Sequence, residues 1–565
     1  MAAFCFALGA SLLAPADGWA QAPAALPSAA TVAPDEPLAR AADDMLALAP
    51  VAGGSVGQRP YSVRELVRLA RAVERDAAAR RGRGLARASD ARAVALAEQV
   101  LAALGATGGS QTRGSGATVV PLQSVLLSGA ATTAPLRRVP VNGQLGGLDA
   151  ITLPPLDARF GRPAVRGVAA SFETVSALGV GGWLGVVAQP RLSWTVASAS
   201  APVGPAGSRV IVAPQRLYAR AVAGNVAFQA GVDERLWGQA PFGPGMPGGT
   251  LVSANSTPLR ALSVAADTAF VLPWLFRYAG RVRAELFVAD LGGRDQVFPH
   301  SKLATYKVTL MPTPNVELGG GIMDEFGGRG APPLSFGERV ADLFPFVTWL
   351  KKGADKQRSN KIAPFDLRVR VPALRGATAY WEINLDDFDA RRLGASLLWQ
   401  DAAQLFGLSL PRLADDGSLA LDAIFQHTSL RLYEHSPFVS GVQSRERIVG
   451  SPLGPNGRSL TGALAWRPTP SRTVRLVLAG ERRDASPYYS TTVNGDPSGA
   501  LKFVQISRTP VEGRVRAQVG LEQGALGRGH YLTARVGADR VTNEDFVAGR
   551  TRLRPFAEAG ARVGF

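Results

Sequence analysis

The chain has 565 residues, one cysteine and a formal net charge of +17. Hydrophobic residues make up 46% of it, which argues against a bundle of transmembrane helices, because each such helix needs about 20 consecutive apolar residues. A single cysteine excludes a disulfide framework, and the positive excess favours polyanionic partners, namely nucleic acid, lipopolysaccharide phosphates or acidic polysaccharide.

The N-terminus has the features of a secretory signal. An apolar core, FCFALGASLLA, is followed by Gly18, Trp19 and Ala20, which predicts a signal peptide over residues 1–20 with cleavage after Ala20, although no Lys or Arg precedes the core. Cleavage would remove Cys5, and export would largely remove nucleic acid as a partner. Residues 21–61 begin with an Ala- and Pro-rich stretch and are predicted to be a linker.

Two helices are predicted in the next segment, residues 62–110. Ser62 and Glu65 form a capping-box pattern at the start of a helix over about 62–80, and a second helix over 90–104 ends at Gly105. We expect this part to be periplasmic. Residues 111–164 contain no strong helix and are predicted to connect it to a β-barrel over residues 165–565.

Alternation of apolar and polar residues dominates the barrel region and is clearest at the C-terminus. From Leu553 to Phe565, one parity is apolar, and the other carries Arg554, Glu558 and Arg562. Charges on the lipid face of a membrane strand cost about 2–4 kcal/mol near the midplane, so these three should face the lumen. The alternation predicts an all-β transmembrane barrel with a small N-terminal α-helical part, and about 20–25 residues per strand with its connection give about 16–18 antiparallel strands. The strand that ends on Phe565 resembles the closing strand of bacterial outer-membrane barrels, which implies a location in the bacterial outer membrane.

The predicted inward faces carry a row of arginines. Such a row suits the carboxylates of an acidic polysaccharide, but acidic residues share the same faces, so an internal Arg/Glu ladder that braces the barrel is the favoured interpretation. The arginines of this lumen row are Arg281, Arg283, Arg368, Arg370, Arg514, Arg516 and Arg535.

A surface loop is the favoured polysaccharide site. The intervals 323–361 and 436–459 are too polar and too rich in Gly and Pro for strands, and the first combines an aromatic ring with several cations. The candidate binding residues are Trp349, Lys351, Lys352, Lys356, Arg358 and Lys361.

Several blocks in order resemble segments of the Wzi capsule-assembly family of outer-membrane proteins. The strongest runs from Phe242 to Pro258, with Phe242 where the family usually has Trp, and further similarity lies around residues 316–330, 380–387 and 433–451. The motif residues are Trp237, Phe242, Gly243, Pro244, Gly245, Ser253, Asn255, Pro258, Tyr433, Glu434 and His435.

The resemblance implies an 18-stranded barrel with a periplasmic helical part. It also implies a lectin-like protein that binds surface polysaccharide non-covalently, to attach or organise a capsule or exopolysaccharide. The expected partners are an acidic polysaccharide, outer-membrane lipid and lipopolysaccharide, and the barrel-assembly machinery.

Two other functions remain open. A porin-type channel for anionic solutes would use the basic lumen, and a hydrolase would use His427 with Ser429 or Ser436. No nucleophile-elbow sequence supports the hydrolase, and no His/Cys spacing supports a metal site, so we predict no enzyme activity, no cofactor and no metal.

Overall fold

The chain forms a closed antiparallel β-barrel of eighteen strands. The computed structural model describes residues 25–106, 116–138, 152–153, 159–198, 207–294, 296–342, 358–386, 402–430, 432–433, 437–492 and 501–565. The two-residue piece Phe270–Val271 pairs with the first residues of the seventh strand and extends the sheet there without adding a full strand. The fold class and the strand number predicted above are confirmed.

The barrel strands are numbered in chain order. They are β1 Ala117–Thr132, β2 Gly167–Val180, β3 Leu184–Ala197, β4 Gly207–Ala223, β5 Val226–Asp233, β6 Leu259–Ala266, β7 Arg281–Asp290, β8 Lys302–Thr313 and β9 Val316–Phe326. The second half comprises β10 Ser359–Val371, β11 Ala377–Asp386, β12 Ala402–Leu410, β13 Leu419–Thr428, β14 Gly457–Thr469, β15 Arg472–Arg483, β16 Glu512–Ala525, β17 His530–Thr542 and β18 Arg552–Gly564.

The barrel closes where β18 pairs with β1, from Phe556 opposite Thr132 to Gly564 opposite Ser124. The prediction of a connector over 111–164 is therefore wrong for residues 117–132, which form the first wall strand. Pro121 lies in an irregularity of register between Val120 and Ser124, and small residues fill the rest of the strand, so its alternation is weak.

The inward and outward faces follow the predicted parity in the C-terminal strand. Arg554, Glu558 and Arg562 reach partners inside the barrel, at Glu544, Arg535 and Glu36 respectively. On the other parity, Leu553 is exposed on the outer wall. This is the arrangement expected when a wet lumen takes the charges and lipid takes the apolar row.

The two ends of the barrel differ in the length of their connections. Short turns such as 224–225, 314–315 and 470–471 lie at the end that also holds Phe565, here called the turn end. Long connections such as 234–258 and 429–456 lie at the opposite end, here called the loop end.

The segment before the first strand enters the lumen. Helix α1, Pro37–Leu48, places Arg40 at 3.5 Å from Glu522 of β16 and Asp44 at 2.6 Å from Arg467 of β14, while Arg370 of β10 donates to the Leu46 carbonyl. The linker predicted over 21–61 is therefore wrong for residues 25–61. Its small Ala and Pro side chains fit closely packed surroundings, which composition alone does not distinguish from a solvated linker.

Helices α2, Val63–Gly82, and α3, Asp90–Ala103, cover the turn end and match the predicted pair. The Ser62 hydroxyl caps α2 by accepting from the Glu65 amide at 3.0 Å, as the sequence pattern predicts. Arg92 of α3 donates to the Asp416 carbonyl in the turn between β12 and β13. Among the described residues, no helix has both the length and the apolar character needed to cross a bilayer.

Candidate functional site

The β5–β6 connection, residues 234–258, folds back into the lumen and holds the first part of the predicted motif. Trp237 is fully buried, and Leu236 and Trp237 pair with Arg59 and Gln58 of the N-terminal segment. The connection is anchored to the wall by Glu382 of β11, whose carboxylate accepts hydrogen bonds from the Gln239, Ala240 and Thr250 amides and the Thr250 hydroxyl.

A tight turn forms the tip of this loop. Phe242 and Gly243 pair with Pro247 and Met246, so Pro244 and Gly245 occupy the turn, and Gly245 has φ +81°. A Cβ at Gly245 would lie 2.1 Å from the Gln518 amide nitrogen of β16. The positive φ favours glycine there, and a larger residue would also displace the end of the Gln518 side chain.

The last part of the motif joins a second lumen loop, the β13–β14 connection 429–456. The Ser253 hydroxyl donates to the Gly450 carbonyl, and the Asn255 amide donates to the Ile448 carbonyl at 2.9 Å. Tyr433 is fully buried and bridges the two loops. The motif residues Glu434 and His435 lie outside the described residues, while Pro258 leads directly into β6.

The motif therefore builds a plug, defined here as residues 25–61, 234–258 and the described part of 429–456. Its described motif side chains are mostly buried, and those of Ser253, Asn255 and Tyr433 donate to loop carbonyls, so they position loops and offer little surface to a polymer. Phe160, from the β1–β2 connection, adds an edge-to-face contact with Phe242 at 5.6 Å between ring centroids.

The lumen arginines divide into two groups by partner. Arg514 and Arg516 both contact Asp539, and Arg535 contacts Glu558, as in the predicted ladder. The other four donate to the plug or to the segments beside it. Their acceptors are the Ala269 carbonyl for Arg281, the Pro60 carbonyl for Arg283, Gln239 for Arg368 and the Leu46 carbonyl for Arg370.

A cavity of about 180 Å³ separates the plug from the wall near β17, β18, β1 and β2. Its lining combines aromatic rings with charges of both signs, including Phe242, Tyr531, Arg162 and Asp35. Burial alone would raise the pKa of Asp35, but the guanidinium of Arg162 at 2.6 Å lowers it below its usual value. Burial and the Asp35 charge instead raise the pKa of the neighbouring Glu234 well above its usual range.

Three arginines of the interior, Arg447, Arg191 and Arg159, form a second concentration of positive charge. Burial, reinforced by Arg191 and Arg159, lowers the pKa of Arg447 to about 10. Arg191 donates to the Gln215 side chain, and Arg159 pairs with Glu558 at 3.0 Å. These guanidiniums add to the basic character of the interior without forming the surface row that a wide polymer would need.

The loop predicted over 323–361 to bind polysaccharide corresponds to the β9–β10 connection, 327–358, and the prediction is wrong for 323–326 and 359–361, which belong to β9 and β10. Trp349, Lys351, Lys352 and Lys356 lie outside the described residues. Arg358 pairs with Glu338 at 3.1 Å, and the Lys361 ammonium donates to the Ser359 hydroxyl at 2.6 Å. Both cations lie at the loop end of the barrel, with Arg358 in the connection and Lys361 in β10.

A short helix in the same loop presents a feature that the sequence analysis missed. Helix α4, Phe336–Asp342, is capped by reciprocal hydrogen bonds between Ser335 and Glu338, at 2.7 and 3.3 Å. Phe336 is 81% exposed, and Arg339, one helical turn later, is also exposed. The Ser-x-x-Glu pattern at residues 335–338 is a capping-box pattern that could have predicted the start of this helix from the sequence.

The residues of the alternative enzyme site are largely enclosed. His427 of β13 is 7% exposed and Ser429 1% exposed, while Ser436 lies outside the described residues. Within the described parts of the chain, no group of three or more His, Cys, Asp or Glu side chains is placed to hold a metal ion.

A family model for the capsule assembly protein Wzi matches residues 148–553. The chain belongs to the Wzi capsule assembly family. The match spans most of the barrel and includes both plug loops, which agrees with the resemblance seen in the motif.

Among solved structures, the chain is similar to Wzi, described as an outer-membrane protein involved in group 1 capsule assembly in Escherichia coli and as a carbohydrate-binding β-barrel. The two share 14% identity with a TM-score of 0.61, covering 95% of this chain and 99% of that chain. Similarity to Pseudomonas aeruginosa OccD3 is lower, with 9% identity, a TM-score of 0.41 and coverage of 80% and 93%. No curated protein sequence matches the chain significantly.

Family and fold together identify the chain as a β-barrel of the Wzi capsule assembly family. The predicted motif residues that are described come together in the plug, whereas the predicted lumen row is distributed over the whole wall. Glu382 was not singled out as the anchor, although its parity with Tyr380, Asn384 and Asp386 marks a polar inward face.

Proposed function

We propose that this Wzi-family barrel binds an acidic surface polysaccharide non-covalently at its loop end, and thereby attaches or organises capsule or exopolysaccharide on the cell. The observation that carries the proposal is the exposed Phe336 beside Arg339 on α4, in the loop that also leads to Arg358 and Lys361. An aromatic ring with adjacent cations suits a sugar ring that carries a carboxylate.

The charge of the loop end supports an acidic partner. Exposed or half-exposed basic side chains outnumber acidic ones among the described residues there. The basic side chains include Arg294, Lys302, Arg329, Arg339, Arg358, Lys361, Arg445 and Arg508. Several of the acids at this end are already paired, such as Asp290 with Lys302 and Asp545 with Arg550.

The plug favours binding outside the lumen. Residues from the N-terminal segment and from two loops cross the interior and hydrogen bond to opposite walls, for example at Arg370 and Glu382. A hydrated polymer entering the lumen would meet these segments. The loops, where the predicted cations lie, are then its natural contact.

The membrane orientation follows the usual pattern of outer-membrane barrels, with long loops extracellular and short turns periplasmic. In this orientation α2 and α3 lie in the periplasm. An N-terminal signal over 1–20, the barrel-assembly machinery as a folding partner and lipopolysaccharide as a neighbour all fit a chain inserted from the periplasmic side.

The decisive experiment is binding of the detergent-solubilised protein to the host's own capsular or exopolysaccharide at low and high salt. Phe336→Ala and Arg339→Gln should each weaken binding, and binding should fall as salt rises, because the exposed cations are screened. Phe276→Ala and Arg277→Gln are matched controls, since the same pair of residue types is exposed at the turn end.

Equal binding by both loop-end variants and wild type would reject α4 as a contact. Absence of binding at either salt concentration would reject the lectin role itself. Planar-bilayer conductance tests the porin alternative: the plugged lumen predicts no steady current, whereas a large anion-selective current would favour a channel.

A further inference from the structure

The outer wall carries three exposed arginines close to the loop end of the barrel. They are Arg458 of β14, Arg482 of β15 and Arg540 of β17. Each shares outward parity with exposed apolar residues on its own strand, such as Leu460, Leu478 and Val536. Each also lies within three residues of the loop end of its strand, so its side chain reaches the level where hydrocarbon gives way to lipid headgroups.

The strand register brings these arginines together. Arg458 is directly opposite Arg482, and Arg482 is opposite Gly513 of β16. Arg540 is opposite Val515, one outward position further along β16. Three strand spacings separate the outermost pair, or about 14 Å. Like charges directly opposite one another destabilise a sheet, so the arrangement calls for a compensating anion.

A groove of about 450 Å³ lies between these side chains. Gly480 and Gly513 are on its floor, and Leu460 and Val515 are on its sides. A Cβ at Gly480 would meet no atom within 4 Å, so the groove is open where a larger side chain would fill it. The nearby carboxylate of Glu481 points into the lumen, where it pairs with Arg514 and Arg137.

Near the loop end of β6, β7 and β8, outward-facing basic side chains do have an acidic neighbour. Arg260 of β6 is exposed and directly opposite Asp290 of β7, which in turn is opposite Lys302 of β8. The Lys302 ammonium lies 2.9 Å from the Asp290 carboxylate. No ion pair within 4.0 Å joins Arg458, Arg482 or Arg540 to a carboxylate of the described residues. Within the described parts of the chain, these three guanidiniums therefore have no compensating carboxylate, and they are available to an external anion.

We propose that this groove binds the phosphorylated headgroup of a lipopolysaccharide molecule, with the lipid A phosphates on the three guanidiniums and an acyl chain along Leu460 and Val515. Guanidinium forks match phosphate oxygens in bidentate geometry, and basic pockets at a membrane surface recognise anionic headgroups. The outer leaflet of the outer membrane supplies this lipid at the height of the groove. The inference rests on the proposed orientation of the barrel and is independent of polysaccharide binding by the loops.

The test is native mass spectrometry of the full-length protein in detergent, titrated with bisphosphorylated lipid A. The triple variant Arg458→Gln, Arg482→Gln, Arg540→Gln should bind at least about tenfold more weakly, because each charge-assisted hydrogen bond that is lost contributes to affinity. Arg260→Gln is the matched control, since this arginine is likewise exposed near the loop end of its strand but is opposite a carboxylate. Heat-modifiable gel mobility confirms that each variant forms the barrel.

A second variant separates the shape of the groove from its charge. Gly480→Val keeps all three arginines and fills the floor, so it should weaken lipid A binding while binding of inorganic phosphate stays unchanged. Equal affinity of the wild type and the triple variant for lipid A overturns the proposal. Inorganic phosphate competing as well as lipid A also overturns it, because a free-phosphate site would then explain the arginines. Weaker binding of the same lipid after removal of its phosphates supports it.

Discussion

The phenol of Tyr433 donates a hydrogen bond to the Thr250 carbonyl at 2.7 Å and accepts one from the Ser451 amide at 2.7 Å. The first bond joins the β5–β6 and β13–β14 connections inside the barrel, and the second links two parts of the β13–β14 connection. Tyr433 itself has a positive φ of 72°, and its amide donates to Asp386 of β11 at 2.7 Å. One side chain thus ties two loops together while its backbone ties them to the wall.

Replacing Tyr433 by Phe should destabilise the protein by about 1–3 kcal/mol, because the Thr250 carbonyl and the Ser451 amide would stay buried without a partner. Thermal unfolding in detergent, followed by circular dichroism, measures the effect. Tyr489→Phe is the control, since Tyr489 is exposed at the loop end and should be insensitive to loss of its hydroxyl. Similar unfolding temperatures for both variants would show that the Tyr433 bonds contribute nothing.

Glu382→Ala should loosen the plug. Four hydrogen bonds from the 234–258 loop converge on this carboxylate, and their donors would be left in the lumen without an acceptor. We expect intermittent currents in planar bilayers from this variant and none from the wild type or from Glu98→Ala, which alters an exposed acid on α3. If the Glu382→Ala variant gave no current, other contacts would be sufficient to hold the loop.

Arg216→Met should release the N-terminal segment from the wall. The Arg216 guanidinium is fully buried, lies 2.8 Å from Asp233 and 3.2 Å from Glu36, and donates to the Thr31 carbonyl at 2.8 Å. Removing one member of a buried ion pair leaves uncompensated charge and costs about 3–5 kcal/mol.

Limited proteolysis measures this release as faster cleavage within residues 25–61. Arg209→Met is the matched control, because Arg209 lies on the same strand, β4, and is exposed. Unchanged protection of 25–61 in the Arg216 variant would show that α1 is held mainly by apolar packing.

The free energy of unfolding should depend on pH because the Glu234 carboxyl has different pKa values in the folded and unfolded protein. Burial and the charge of Asp35 raise its pKa in the folded protein, so between pH 4.5 and the raised value the folded state holds a proton that the unfolded chain releases. The folded state is therefore destabilised, relative to the unfolded chain, as pH rises through this interval.

Glu234→Gln removes the titration, so the unfolding temperature of the variant relative to wild type should increase with pH above about 4.5. Melting curves of both proteins at a series of pH values test this, with Glu98→Gln as an exposed control. A difference that stays constant across the series would contradict it.

The strands that the sequence predicted well are those with one wet and one lipid-facing side. In β7, β10, β15, β16, β17 and β18 the charges alternate with apolar residues, and the cost of a charge in hydrocarbon fixes which parity faces inward. Strand β1 was missed because Pro121 and the irregular register between Val120 and Ser124 interrupt its pattern. The N-terminal segment was missed because its Ala- and Pro-rich start has the composition of a linker, although Leu38, Met45 and Leu46 of α1 pack in one apolar cluster with residues of α2 and α3.

In the candidate site, too, some features were predicted from the sequence and others were not. The motif predicted the family, but not the contacts that hold the 234–258 loop, because Glu382 and Tyr433 lie more than one hundred residues away from it in the chain. The exposure of Phe336 follows from where α4 lies in the folded loop, since an isolated Phe in sequence more often predicts burial.

The sequence by itself determined the barrel, the parity of its best strands, the two helices after residue 62 and membership of the Wzi family, because each depends on local pattern and on the energetic cost of charge in lipid. Only the tertiary structure decided that residues 25–61 enter the lumen, that the motif forms a plug and that Arg458, Arg482 and Arg540 share one groove. Those outcomes depend on strand register and on contacts between segments far apart in the chain, which no local pattern records.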